Sequence, residues 1–334
     1  GGDGAMTGRE LLVELGTIDE CFYHEADGRG RAWHRPLLIA AVVAVLLLLA
    51  GCGYAVLSGT AWFQAYFARE QKQPLSGGQM DLIAGSTKEF GDSMTVGGYT
   101  LTLEAAIAEP KTAYIKLRIT GEKPFSGKSV SLEARKVPGE NRMESAFFPK
   151  GSSPTDARPF GNSTWVFDDP VGNEVSVLIR MNQRTSPDAV AFEAGVPYIL
   201  HLTDLTQWDD GGGTILAEGP WDFEIVFDHL NDGQLELISQ PATVSANGAS
   251  LTLTSFKLGT MGAEAAFQPV DPSDMRTMGV LALSQVMLKD GSTVAMRLNS
   301  FDPEGHGSLG LVSPVDLKEV SYVELRDGTQ LWAP

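Results

Sequence analysis

Cysteine is almost absent. Cys21 and Cys52 are the two in 334 residues, and none follows position 52. A disulfide framework is therefore excluded, and the later part of the chain must hold together by apolar burial. Basic charge is also scarce. Lys+Arg number 25 against 42 Asp+Glu, a net charge of −17. That acid surplus repels a phosphate backbone and argues against a nucleic-acid partner. Helical periods are missing from about residue 93 onward. With 43% hydrophobic and 20% charged residues, the chain is neither disordered nor polytopic.

What is present is one long apolar run. No charged residue occurs between Pro36 and Ala68, and Leu37–Ser58 is almost wholly apolar. About 20 such residues at 1.5 Å rise span a bilayer core. Trp33 precedes the run, and Trp62, Phe63, Tyr66 and Phe67 follow it. These read as interface belts. Arg29, Arg31 and Arg35 crowd the N-terminal side, while Arg69 and Lys72 on the other side mix with Glu70. The positive-inside rule then predicts a single-pass membrane protein with residues 1–35 cytoplasmic and the rest outside.

Leu49-Ala50-Gly51-Cys52 competes with that reading, because it resembles a bacterial lipobox. In the alternative, the chain is cut before Cys52 and anchored there by lipid, as a surface lipoprotein or adhesin-like binding module. Two features favour an uncleaved span. The preceding 35 residues carry seven acids, and the apolar run continues through Tyr54, Ala55, Val56 and Leu57. The opening Gly1–Met6 reads as a cloning remnant or the edge of a fragment.

In the tail, Leu11, Leu12, Leu15, Ile18 and Phe22 recur at helical spacing among Glu10, Glu14, Asp19 and Glu20. A stripe on so short a piece has no core of its own to enter. Flanking acids disfavour an anionic leaflet, so the stripe points to a protein groove; a disordered leader is the plain alternative. Cys21 and His24 leave two zinc positions empty.

Beyond the run, residues 59–90 read as a juxtamembrane stalk, with Pro74 ending one helix and a second starting near Met80–Ile83. From Ser93 the period becomes two: Tyr99–Leu103, Ala113–Ile119, Val175–Ile179, Tyr198–Leu202 and Trp221–Phe227 alternate or nearly so. Asp290-Gly291 and Asp327-Gly328 fall between strand-like runs, as hairpin turns do. Trp221, Phe223, Ile225 and Phe227 should share one buried face, with Asp222 and Glu224 on the other. An echo links Thr95-Val96 and Gly98–Leu103 to Thr243-Val244 and Gly248–Leu253. The expected fold is mainly β: one transmembrane helix (36–58), then two Ig-like β-sandwich domains at 91–230 and 234–334.

Several motifs invite chemistry and fail on spacing. Leu75-Ser76-Gly77-Gly78-Gln79 spells the ABC-ATPase signature, but no Walker A loop in register accompanies it. A polar turn after Pro74 accounts for it. Asp228, Asp232 and Gly233 mimic an EF-hand start, with Ser239 where a Glu is needed. Gly305–Gly310 lacks the spacing of a hydrolase elbow. The sequence therefore predicts no enzyme, no catalytic residues, no cofactor and no metal.

Glu10–Glu20 with Phe22 and Glu25-Ala26 resembles the leader of a family of Gram-positive single-pass proteins with an Ig-like ectodomain of unknown function. Gly97–Leu103 and Gly219–Phe223 are similar to that family's first strand and its Gly-x-Trp-x-Phe strand. The resemblance implies an anti-sigma-like role: an envelope protein that meets an extracellular ligand and acts inward on a partner such as a sigma factor.

Overall fold

The computed structural model describes residues 59–125, 129–132, 146–152, 162–167, 171–182, 191–209, 212–238, 240–246, 249–268, 284–302 and 304–334. The expected tail and span, the stripe Leu11, Leu12, Leu15, Ile18 and Phe22, and Cys52 all lie outside the described residues. Among the described residues, no helix is long and apolar enough to cross a membrane.

Two helices come first, α1 (Gly59–Gln71) and α2 (Gly77–Ser86). The strands then run β1 (Lys88–Glu89), β2 (Ser93–Val96), β3 (Tyr99–Glu109), β4 (Thr112–Gly121), β5 (Ser129–Ser131), β6 (Ala146–Pro149) and β7 (Asn162–Phe167). Next are β8 (Glu174–Asn182), β9 (Pro197–Leu202), β10 (Leu205–Asp209), β11 (Gly212–Ala217), β12 (Trp221–Val226), β13 (Gln234–Glu236) and β14 (Ala242–Ala246). The last are β15 (Ala249–Gly259), β16 (Gly262–Phe267), β17 (Gln285–Leu288), β18 (Thr293–Phe301), β19 (His306–Leu311), β20 (Val320–Glu324) and β21 (Gln330–Trp332). The protein is mainly β.

The helices have local causes. Lys72 ends α1 with a positive φ of 59°, and Pro74 follows it. Ser76 then opens α2 through a capping box. Its Oγ accepts from the Gln79 amide at 3.1 Å, and Gln79 Oε1 accepts from the Ser76 amide at 2.9 Å. That reciprocal bonding is what Ser-x-x-Gln does at a helix start. Leu75–Gln79 is thus a helix entry.

Strands β1, β3, β4, β8 and β7 lie side by side, with β2 also on β3. In the nine-stranded sheet, β13, β15, β16, β19 and β18 lie in the same relative order, with β14 on β15; β17, β20 and β21 extend it. The sequence echo falls on matching hairpins, β2–β3 and β14–β15. Each long second strand carries a register shift at the same place, Leu103/Ala105 on β3 and Leu253/Ser255 on β15. The offset is 253 − 103 = 150 positions, and the pair Ala108↔Ala113 then maps onto Leu258↔Ala263. A shared register shift supports duplication more strongly than the short sequence match, since breaks in a ladder are placed features of a sheet. The expected turns at Asp290-Gly291 and Asp327-Gly328 join β17 to β18 and β20 to β21, with both glycines at positive φ.

Two large cores fill the β-structure. The first joins β3, β4 and β8 to residues of the two three-stranded sheets, β11-β10-β5 and β12-β9-β6. Trp221, Phe223, Ile225 and Phe227 all point into it, and Asp222 and Glu224 are exposed, as the alternation requires. The second core draws its residues from the nine-stranded sheet and its connections.

Candidate functional site

A third, smaller core is the most informative place in the molecule. Phe63 and Phe67 of α1 and Ile83 of α2 pack with Ala105 and Ile107 of β3, Tyr114 of β4, Leu178 of β8 and Met261. All eight are at most 2% exposed. Phe63 and Phe67 are one helical turn apart and stack at 6.0 Å; Phe67 meets Tyr114 edge-on at 5.1 Å. The aromatic cluster expected as an interface belt thus enters a protein core with its Phe pair. Trp62 and Tyr66, half-buried and stacked 5.4 Å apart, cover its edge. An amphipathic aromatic suits a headgroup layer and a core rim equally, so composition alone does not separate the two.

The face beneath α1 carries charge. Lys116 and Glu104 form a buried ion pair at 2.7 Å, and Arg118 Nε reaches the other Glu104 oxygen at 2.6 Å. The Lys116 ammonium also lies 4.9 Å from the Trp62 ring centre. Burying a charge is costly unless it is paired, and these partners offset that cost.

The helix pair also reaches the second β region. Gln79, 1% exposed, donates from Nε2 to Ser313 Oγ at 3.1 Å and to the Pro314 carbonyl at 2.7 Å. Ser76 Oγ donates to Glu319 at 2.7 Å, Gln73 Nε2 donates to the Thr293 carbonyl, and Arg297 pairs with Glu70 at 3.4 Å. Gly78 is tight here: a Cβ on it would lie 2.7 Å from Glu319 Oε1. Residues 59–90, the expected stalk, are therefore folded across both β regions.

Beside Met261 the two matching hairpin tips meet. Under the 150-position offset, Glu109 matches Gly259 and Thr112 matches Gly262. The Glu109 side chain enters the space those glycines leave open: a Cβ on Gly259 would lie 2.9 Å from its Oε2, and one on Gly262 3.0 Å from its Oε1. Met261 N–H donates to Oε2 at 2.9 Å, and Thr260 Oγ1 donates to the same atom at 3.3 Å. Glu109 is 5% exposed, and among the described residues no cation is ion-paired with it. Burial pushes its carboxyl up to about 7, against the pull of those donors, Thr112 and the Arg180 guanidinium. A cleft of about 30 Å³, large enough to admit water, adjoins it.

His201 Nδ1 and Asp222 Oδ1 are 2.6 Å apart on paired strands β9 and β12. Among the described residues, no three His, Cys, Asp or Glu side chains gather to hold a metal. Sequence reasoning missed Glu109 and the docking role of Gln79. Glu109 closes an apolar strand before Pro110-Lys111, which reads as a solvated turn.

No protein-family model matches the chain, and no curated protein matches it. A conserved domain protein from Bacillus anthracis is similar in structure, with a TM-score of 0.48 and 11% identity over 71% of this chain and 75% of that one.

Proposed function

We propose that the protein is a Gram-positive, single-pass membrane protein whose Ig-like β-sandwich ectodomain senses conditions in the envelope. The tail stripe Leu11, Leu12, Leu15, Ile18 and Phe22 passes that state to a cytoplasmic regulatory partner, in the manner of an anti-sigma factor. One observation carries the reading. α1 starts at Gly59, immediately after the apolar run in sequence, and its Phe63 and Phe67 are locked into a core shared with β3, β4 and β8. A sensor needs its ectodomain to grip the segment that follows the span in sequence; a tethered adhesin does not. The Ig-like assignment is supported by the shared core of the first β region, in which Trp221 is fully buried.

The competing reading keeps the same ectodomain as a binding module anchored by lipid at Cys52. Mass analysis of the mature protein extracted from membranes separates the two. The sensing reading expects residues of the tail to be retained, a reporter at Gly8 to be cytoplasmic and one at Pro334 to be outside. A mature chain beginning at a diacylated Cys52 overturns it.

A further inference from the structure

We propose that Glu109 is a proton-operated clasp between the two β regions: closed when its carboxyl is protonated, loosened when it is ionised. The geometry is that of an inserted latch. The carboxyl crosses from the tip of the β3–β4 hairpin into the β15–β16 tip, where Gly259 and Gly262 make room and Met261 N–H and Thr260 Oγ1 bind it. The duplication makes the arrangement asymmetric. Matching tips face each other, and the second repeat has glycine at the position where the first has the acid.

The surrounding charges leave it exposed to its own ionisation. Lys111, on the same hairpin, is ion-paired with Glu264 of β16. Tyr114 of β4 and Arg180 of β8 lie behind, with the Arg180 guanidinium 5.6 Å over the Tyr114 ring. Lys257 of β15 and Asp232 of the connecting segment also line the cleft. Arg180 favours the anion, but burial outweighs it, and the carboxyl titrates near 7. Near neutral pH the ionised form then draws water into the cleft and separates the tips.

The clasp has a route to the helices. Met261 gives its amide to Glu109 and its side chain to the core that holds Phe63 and Phe67. Loosening the tips frees one wall of the α1 socket. The clasp supplies a stimulus, external acidity, for the sensing reading and rests on that reading for its purpose. Its test is independent: it is read at Met261 in the folded chain, whereas the sensing reading stands or falls on the mature N-terminus.

The experiment is amide hydrogen exchange of the full-length chain in lipid nanodiscs between pH 5.5 and 8.5, corrected for intrinsic rates. The Met261 amide is expected to lose about tenfold or more in protection as pH rises, with a midpoint near 7. Glu109→Gln, neutral and of the same shape, is expected to remove that dependence, while Glu264→Gln keeps it. Protection that does not change with pH in the unmodified protein overturns the clasp. So does a change that survives Glu109→Gln or vanishes in Glu264→Gln. Should Glu109→Gln fail to fold, the carbon-13 shift of the Glu109 carboxyl decides: a midpoint near 7 that coincides with the Met261 change supports the clasp, and a midpoint in the ordinary carboxylate range overturns it.

Discussion

Glu109 Oε2 accepts the Met261 amide proton across 2.9 Å, joining the tip of the β3–β4 hairpin to that of the β15–β16 hairpin. One residue thereby touches the first β region, the second, and the socket of α1. The predictions below test the parts of that junction and the cores on either side.

The first concerns the glycines that admit Glu109. Gly259→Ala places a Cβ 2.9 Å from Oε2, so it should weaken the fold. The cost, on the order of 1–3 kcal/mol for overpacking, should shrink in a Glu109→Ala background, where the obstructing atom is gone. A double-mutant cycle by urea denaturation reads the coupling. Strict additivity would place the Glu109 side chain elsewhere.

The second is pH dependence of stability. Glu109 has a folded value near 7, above its unfolded value of 4.5. Its contribution is greatest below pH 4.5 and declines as pH climbs to 7, by up to roughly 3 kcal/mol. Denaturation at a series of pH values should therefore show a decline across that window, removed in Glu109→Gln. Stability that rises from pH 4.5 to 7 and is equally affected by Glu109→Gln would contradict the assignment.

The third concerns α2. Gln79→Ala removes the capping-box partner of Ser76 and strips the buried Pro314 carbonyl of its donor. A loss of about 1–3 kcal/mol is expected. Exposed Met80→Ala, one position on, should cost far less. Equal effects in thermal melts would mean that α2 is not held against residues 313–314.

The fourth tests the first core. Trp221 is fully buried, and truncation to Ala should cost about 3–5 kcal/mol, with Phe223→Ala similar. Glu224→Ala removes only a half-exposed partner of Lys150 and should change stability by less than about 1 kcal/mol. An unchanged melting temperature in Trp221→Ala would refute the burial.

The strands were legible because period two needs no tertiary knowledge: Trp221–Phe227 declares its faces by where Asp222 and Glu224 stand. The two helices were legible from Pro74 and the apolar residues around it. The echo at Thr95 and Thr243 located the paired hairpins, but the matching shifts at Leu103 and Leu253 appear only in the register. The junction was not legible. Whether Phe63 and Phe67 face lipid headgroups or a sheet depends on what lies opposite, and Glu109 becomes unusual only once Gly259 and Gly262, 150 positions away, are brought against it.

The central claim is that α1 is held by the β regions. Hydrogen exchange of the amides from Phe63 to Arg69 tests it directly. Protection approaching that of β3 and β4 is expected, falling by more than tenfold in Phe67→Ala as the socket empties. Amides that exchange as an isolated helix does, and are indifferent to Phe67→Ala, would contradict it.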